Sequence, residues 1–379
     1  MKKKIEEVII DDYQDTKPKK SLLKKEVIKA PKTKKDKLIV SLMLVFILLS
    51  GILGYIWITT FDWSPVKVLN QEKYYSFELP IVTIVNENSN SRPIAVMINN
   101  HADARANHAG LQDAYMVYEI IVEGGLTRYM ALFKDTNTAR IGSVRSSRHY
   151  FLDYAMENDA IYTHFGWSPY AQSDITKYGI NNVNGLVDGD AFWRDTTLNV
   201  SYEHTAFTSI EKILATAQSK GYRTTTDKSV VLSYTALYNK IDTKEGAKVA
   251  NTVVIPYSYW VEDKYVYDAT SKVYKRYVND KEHTDAVTHK QYTTKNILVY
   301  QVANSTIAGD PKGRQTLDNI GSGTGWYISN GYAVPITWQK DSRQSKTIYK
   351  YQNGEEIKFN NGNTWVQIEP LNQNLQITE

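Results

Sequence analysis

The sequence predicts an α+β protein with an N-terminal transmembrane helix, a mixed α/β first external domain and a β-rich second domain. Three observations support this fold class. Residues Leu38 to Phe61 form a run of 24 residues without a charge. From Arg92 onward, apolar strand-like segments alternate with segments of helical spacing. After about Ala250 the segments are short and rich in Val, Ile, Tyr and Trp, with Asn-Gly turns between them.

The uncharged run is long enough to cross a membrane. At 1.5 Å rise per residue it extends about 36 Å, more than the roughly 30 Å hydrocarbon core of a bilayer. The main alternative is a cleaved signal peptide, which has a short basic start and an apolar stretch of about 7–15 residues. Here 37 residues precede the run, and the chain has no Cys that could carry a lipid. We therefore expect an uncleaved transmembrane helix over residues 38–61.

The charge distribution predicts the orientation of this helix. Residues 1–37 contain 13 Lys and 7 acidic residues, a net charge of +6. Positively charged flanks stay in the cytoplasm, so residues 1–37 are expected to form a cytoplasmic tail and the folded part to be extracellular. The whole chain carries +4, which leaves −2 for the remainder. Overall basicity therefore gives no support for nucleic-acid binding.

The remainder divides into a stalk and two domains. Residues 62–91 look like a juxtamembrane stalk that ends in the polar run NENSNSR. Residues 92–240 are expected to form the α/β domain and residues 250–370 the β-rich domain, with the boundary in KIDTKEGAKVA. The absence of Cys excludes disulfides and thiolate metal sites, so an exported domain must be stabilised by its core.

The first domain shows strand and helix patterns in sequence order. Strands are predicted over 93–98, 115–122, 127–133 and 160–165, and helices over 146–158 and 209–220. Gly124-Gly125 predicts a hairpin between the second and third strands. In the second domain, the Gly-rich segment 321–325 is expected to be a turn, because no helix follows it.

Three arginines surround the predicted start of the helix over 146–158. Arg140, Arg145 and Arg148 lie in RIGSVRSSRH, where the free N–H groups of a helix N-terminus would also favour an anion. Guanidinium groups add forked donors that fit phosphate or carboxylate. The pattern predicts an anion-binding site, and the alternative is that these arginines pair with nearby acidic residues in a structural network.

Two glutamates in YEIIVEGGLTR are candidates for acid–base chemistry. Glu119 and Glu123 are four residues apart on a predicted strand, so we expect them on one face. Paired carboxylates can act as general acid and base. The alternative is ion pairing, for which Arg128 is the obvious partner in the sequence, and Arg128 also joins the anion-binding candidates.

Histidines and one loop supply the remaining candidates. His164 lies at the end of a predicted strand, where α/β folds place ligands, and His204 follows a Glu. The loop DGDAFWRD contains Asp190, Trp193 and Arg194, a combination that suits a sugar or peptide surface. None of the seven His shows a tight metal spacing such as HExxH, and the two H-x-D pairs are common by chance, so neither a metal nor a cofactor is predicted.

These motifs resemble the YerB-like family of Gram-positive envelope proteins. The matching segments are RPIAVMINN at 92–100, YEIIVEGGLTRYMALF at 118–133, IGSVRSSRHYFLD at 141–153, FWRD at 192–195, KNILV at 295–299 and GNTWVQI at 362–368. The resemblance covers about residues 92–370 and implies export, membrane association and paired N- and C-terminal domains of unknown function. Many members resemble lipoproteins, whereas this chain has an apolar run instead of a lipid-modified Cys. The family brings no established activity.

These observations together predict a membrane-anchored extracytoplasmic protein that binds an anionic cell-wall ligand or an envelope partner. Peptidoglycan, teichoic acid and an envelope protein are the expected partners. The alternative is a hydrolase or transferase that acts on cell-wall polymer or its precursors. In that case Glu119, Glu123 or Asp190 would act as acid or base, and His164 or His204 would carry the proton.

Overall fold

The computed structural model describes residues 33–60, 85–86, 88–235 and 238–379. Residues 1–32 of the predicted cytoplasmic tail and most of the predicted stalk lie outside these residues. The chain divides into two compact units, residues 1–77 and 78–379. In the first unit, helix α1 spans Lys34–Thr60. By length and composition its stretch Lys37–Tyr55 is apolar enough to cross a membrane, and none of that stretch is buried within the protein.

The second unit contains short helices and many strands. The helices are α2 Ala102–Arg105, α3 Phe151–Glu157, α4 Pro169–Lys177 and α5 Ile210–Ser219. The strands of the N-terminal segment are β1 Ile94–Asn99, β2 Met116–Ile121, β3 Thr127–Phe133, β4 Ile141–Gly142, β5 Ile161–His164, β6 Asn182–Asn184, β7 Phe192–Arg194, β8 Ala206–Thr208 and β9 Ser233–Thr235.

From Lys248 onward, the regular elements of the described chain are all strands, as the composition of the C-terminal segment predicts. They are β10 Lys248–Val249, β11 Thr252–Pro256, β12 Glu262–Asp268, β13 Val273–Val278, β14 Lys281–Glu282, β15 Thr293–Thr294, β16 Asn296–Val302, β17 Asn304–Thr306, β18 Gln315–Leu317, β19 Gly321–Ser329, β20 Tyr332–Lys340, β21 Ile348–Tyr351, β22 Lys358–Asn360, β23 Thr364–Pro370 and β24 Gln376–Thr378.

One large sheet joins the two segments. Its order is β10-β20-β19-β16-β23-β2-β3-β1-β5-β6, with β21 paired to β20. Strand β23 lies parallel to both β16 and β2, so residues Met116 to Ile120 pair directly with Thr364 to Ile368. A second sheet has the order β14-β13-β12-β11-β24, with β15 paired to β13. The predicted domain boundary near 240–250 stays a prediction. Strands that precede it in the sequence, β2 and β9, form hydrogen bonds with strands that follow it, β23 and β22.

The central strands β1, β2 and β3 are buried along their whole length. Successive side chains of a strand point to opposite faces, so both faces of the sheet are covered there. On one face, Met97 and Tyr118 belong to a core that includes side chains of α3 and α4. On the other face, Val96 and Val117 belong to a core that includes α5 and strands β11 to β13. Strand β1 therefore runs through the interior, and its carboxyl end delivers residues 99–101 to the edge where the candidate site lies.

Local signals in the sequence place several elements correctly. Strands β2 and β3 form the predicted antiparallel hairpin. Helix α5 begins after Ser209, whose hydroxyl accepts the Lys212 N–H, as a Ser cap predicts. The predicted turn at 321–325 is wrong, since these glycines begin β19. Gly325 faces the carbonyl oxygen of Val299 so closely that a Cβ would lie 2.6 Å from it, which leaves room there for glycine alone.

Candidate functional site

The segment that carries the predicted arginines is extended and not helical. Helix α3 begins at Phe151. The backbone N–H of Arg145 donates to the carbonyl oxygen of Met97 in β1 at 2.9 Å, and that of Ser147 donates into the loop after β5 at 3.0 Å. The predicted helix over 146–158 is therefore wrong in its first turn. The N–H groups of Arg145 and Ser147 bond to β1 and to the loop after β5. They are therefore not free to bind an anion at a helix N-terminus.

Arg128 and Arg148 form an internal ion-pair network with Glu123. Arg148 Nε lies 2.8 Å from one carboxylate oxygen, and Arg128 Nη2 lies 3.2 Å from the other. Burial alone would raise the pKa of Glu123, but the Arg148 hydrogen bond and the two positive charges outweigh it and lower the pKa to about 2. Both arginine side chains are 8% exposed. Their ligand-binding role stays a prediction.

Arg140 and Trp193 meet at one aromatic ring. Arg140 Nη2 lies 2.7 Å from an oxygen of Asp195, and its guanidinium lies 3.7 Å from the centre of the Phe207 ring. The Trp193 ring stacks on the same Phe207 with 6.2 Å between centroids. Trp193 is half-buried, so the loop predicted as a sugar or peptide surface leaves only part of this ring accessible.

Strand β8 brings Arg145 and Arg194 to one place. Ala206 of β8 pairs with Arg194 of β7, and the Ala206 carbonyl oxygen accepts the Val144 N–H at 2.7 Å. Arg194 and the residue just before Arg145 therefore contact the same β8 residue. Arg145 and Arg194 are 49 residues apart in the sequence, but both side chains bond to the turn that precedes β8, at Glu203 and Tyr202.

The two arginines differ in how their charges are balanced. Arg145 Nη2 lies 2.7 Å from a carboxylate oxygen of Glu203, a pair that is partly open to solvent. Arg194 donates to the carbonyl oxygen of Tyr202, and its guanidinium lies 4.1 Å from the Tyr202 ring centre and 4.4 Å from that of Phe165. Within the described residues, no carboxylate lies within ion-pair distance of Arg194. Its charge is therefore held between two rings without an acidic partner.

Glu119 lies in the core, away from Glu123. Two carboxylates, Glu119 and Asp263, each place an oxygen 2.6 Å from the same nitrogen, Nη2 of Arg276, and all three side chains are fully buried. Burial raises the pKa of Asp263 well above its usual range, with the Glu119 charge adding to this and Arg276 opposing it. The expectation that Glu119 and Glu123 share a strand face is wrong, because β2 ends at Ile121 and Glu123 lies in the turn.

A directional row of hydrogen bonds leads from Arg276 to the end of β1. Arg276 donates to Nδ1 of His283 at 2.7 Å. A neutral imidazole has one donor and one acceptor, so Nε2 of His283 donates to Nδ1 of His108 at 2.7 Å, and Nε2 of His108 donates to the carbonyl oxygen of Asn99 at 2.5 Å. Burial lowers the pKa of His108 to about 3 and that of His283 well below its usual value, so both histidines of this row are uncharged at neutral pH.

His204 lies at the surface end of the same region. Its Nδ1 is 2.6 Å from the Asn99 side-chain amide, and its Nε2 is 3.7 Å from an oxygen of Glu203. The His101 ring stacks on it with 4.9 Å between centroids and 13° between planes. Burial lowers the pKa of His204, with Glu203 opposing and the positive charge of Arg145 adding to this.

Comparisons with known proteins identify the family. A model described as the N-terminal domain of a protein of unknown function, DUF3048, matches residues 82–223, and the model of its C-terminal domain matches residues 253–366. The chain is 30% identical over 282 residues to "Putative lipoprotein YerB" of Bacillus subtilis, which covers 74% of this chain and 81% of that protein. The chain belongs to the YerB-like DUF3048 family. The predicted resemblance is confirmed.

A solved structure agrees with this assignment. The crystal structure of YerB from Bacillus subtilis superimposes with a TM-score of 0.68 at 28% identity, covering 79% of this chain and 99% of that one. The relationship to a protein named as a lipoprotein indicates an envelope-associated protein. The N-terminal family match contains Arg145, Arg194 and His204, and the C-terminal match contains Asp263 and Arg276.

The remaining catalytic candidates are not brought together. His164 is buried, its Nδ1 lies 2.7 Å from the carbonyl oxygen of Gly166 and its Nε2 lies 3.2 Å from Asn182. Burial lowers its pKa to about 4, as for a hydrogen-bonded structural histidine. Asp190 is exposed in a short turn, whereas Glu119 is fully buried.

Sequence reasoning missed a fully buried arginine, Arg276. Arg276 is fully buried in β13, whose alternation places it on the same face as Tyr274 and Val278. A charged residue at an apolar position of an alternating strand was the available signal. Its partner Asp263 occupies the equivalent inward position of β12.

Proposed function

We propose that this chain is a single-pass membrane protein of the cell envelope that binds an anionic ligand at Arg145 and Arg194. Helix α1 supports the anchor by its length and composition. The basic residues 1–37 support a cytoplasmic N-terminus and an extracellular folded unit. The relationship to a protein named as a lipoprotein supports association with the envelope.

The observation that carries the ligand proposal is the unbalanced charge of Arg194. Its guanidinium is held between the rings of Phe165 and Tyr202, which fixes its direction before a ligand arrives. The neighbouring Arg145 shares its charge with Glu203 in a pair open to solvent. An incoming phosphate or carboxylate can accept from both guanidinium groups.

Cell-wall polymers supply such anions outside a bacterial membrane. Teichoic acid offers phosphate and peptidoglycan offers carboxylate, and the half-exposed Trp193, which precedes Arg194 in strand β7, offers a ring for a sugar. The buried Glu119 and the ion-paired Glu123 give no support to the alternative of a wall hydrolase or transferase. We therefore propose binding and not catalysis.

Co-sedimentation tests this function. The full-length chain in detergent is mixed with purified cell walls, before and after removal of teichoic acid, in buffer that contains a chelator. We expect wild-type protein to sediment with the walls and Arg194→Gln to lose most of this binding. Lys177→Gln is the matched control, because Lys177 is also an exposed cation above a tyrosine ring. Equal binding by Arg194→Gln and wild type would contradict the proposal.

A further inference from the structure

We propose that His101, Asp103 and His204 form a binding site for a divalent transition-metal ion. One ring nitrogen of each histidine and one carboxylate oxygen of Asp103 lie within 4.8 Å of one another. Two imidazoles and a carboxylate are a donor set for Zn²⁺ or Fe²⁺. This site does not rest on the anion proposal, since none of its three ligands is an arginine.

The fold brings these ligands together from two parts of the chain. His101 and Asp103 lie directly after β1, where His101 caps the short helix α2. His204 comes from the turn before β8. Capping explains the contact between His101 Nδ1 and the Asp103 N–H at 3.3 Å, but it does not explain why a second imidazole stacks on His101.

Exposure leaves the site open for adjustment and for a further ligand. The His204 side chain is 3% exposed, whereas those of His101 and Asp103 are 39% and 60% exposed. Ligand atoms around four-coordinate Zn²⁺ lie about 3.3 Å apart, so the two exposed side chains must move inward by rotation. Three protein ligands leave one position for water or an added ligand.

Asn99 can orient His204 for metal binding. Its side-chain amide lies 2.6 Å from Nδ1 of His204, and its Oδ1 accepts the His101 N–H at 3.1 Å. With the amide rotated by 180°, its oxygen would accept the Nδ1–H and leave Nε2 free for the metal, while the hydrogen bond from the His101 N–H would be lost. One carboxylate oxygen of Glu203 lies 3.7 Å from Nε2 of His204, and the other oxygen is paired with Arg145. The proposed metal site therefore lies beside the proposed anion site.

Metal titration of the full-length chain tests the proposal. The protein, purified in detergent with a histidine-free affinity tag and stripped with chelator, is titrated with Zn²⁺ by calorimetry and with Co²⁺ by visible absorption. We expect one ion per chain. His101→Ala and Asp103→Asn alter exposed positions and should each weaken binding roughly tenfold or more, and His204→Ala should abolish it.

Matched variants keep the outcome clear. His289→Ala removes an exposed histidine outside the site and should leave the affinity unchanged. Tryptophan fluorescence checks that each variant is folded, and His101→Ala and Asp103→Asn decide the result if His204→Ala does not fold. No binding by wild type, or equal binding by His101→Ala and Asp103→Asn, would overturn the site. The two proposals can fail separately. If the wild type binds no Zn²⁺ but still binds cell walls in buffer that contains a chelator, the metal proposal fails and the anion proposal stands.

Discussion

Replacing Arg276 by Met should destabilise the protein strongly and in a pH-dependent way. Arg276 is fully buried, and its Nη2 is 2.6 Å from both Glu119 and Asp263. Its guanidinium also lies 4.2 Å from the centre of the Trp365 ring. Methionine fills a similar volume but leaves Glu119 buried without a counter-charge. Removing one partner of a buried pair costs about 3–5 kcal/mol.

A buried carboxyl group without a counter-charge costs least free energy in its protonated form. An unfolded glutamate has a pKa of about 4.3, so keeping one such group protonated costs about 3.7 kcal/mol at pH 7 and about 1.6 kcal/mol at pH 5.5. The variant should therefore lose less stability at pH 5.5 than at pH 7. Adding Glu119→Gln to Arg276→Met should restore part of the loss, since a neutral amide needs no proton.

Urea unfolding of the full-length chain in detergent, followed by tryptophan fluorescence, measures these free energies. The control is Lys275→Met, which removes the neighbouring charge on the exposed face of β13 and should leave the unfolding midpoint unchanged. If Arg276→Met is as stable as wild type, or loses the same free energy at both pH values, the reasoning about the buried carboxylates is refuted.

Three further predictions concern single side chains. Burial raises the pKa of Glu369 to about 7. The protonated Glu369 carboxyl therefore contributes its full stabilisation of the fold below about pH 4.3, and this stabilisation is lost as pH rises through 7. In thermal melts, Glu369→Gln should be on the order of 3 kcal/mol more stable than wild type at pH 8 and similar to it near pH 4.5. Glu123, whose pKa is lowered to about 2, stabilises above about pH 4.3 and loses this as pH falls through 2; Glu123→Gln should cost about 2–3 kcal/mol at pH 7 and little at pH 2, measured by urea unfolding. Gly331→Ala should cost about 1 kcal/mol or more in the same assay, because Gly331 has φ +82° and a Cβ would lie 2.8 Å from the Tyr267 ring.

Local patterns in the sequence predicted much of the fold. The Asn330-Gly331 dipeptide predicted a turn, and it joins β19 to β20 with both residues at positive φ. The Ser209 cap and the glycine at 221 predicted the limits of α5 within one residue. Such signals depend on a few adjacent residues, so a single sequence contains them.

Pairings between distant residues could not be predicted in this way. The segment around Arg145 looked like a helix start, but the N–H of Arg145 bonds to β1 and that of Ser147 bonds to the loop after β5. The contact between His101 and His204 joins residues 103 positions apart in the sequence. Neither partner carries a local signal of the other, so the candidate metal site required the structure.

The hydrogen-bond row and the surface site meet at Asn99, and they use different atoms of it. His108 donates to the backbone carbonyl oxygen, whereas His204 contacts the side-chain amide. Rotation of that amide on metal binding would leave the backbone bond unchanged. The row from the buried Arg276 therefore bonds to the backbone of Asn99 and not to the amide that faces the proposed metal site. This separation allows the core charges to serve stability alone, while the ligand and metal proposals concern side chains at the surface.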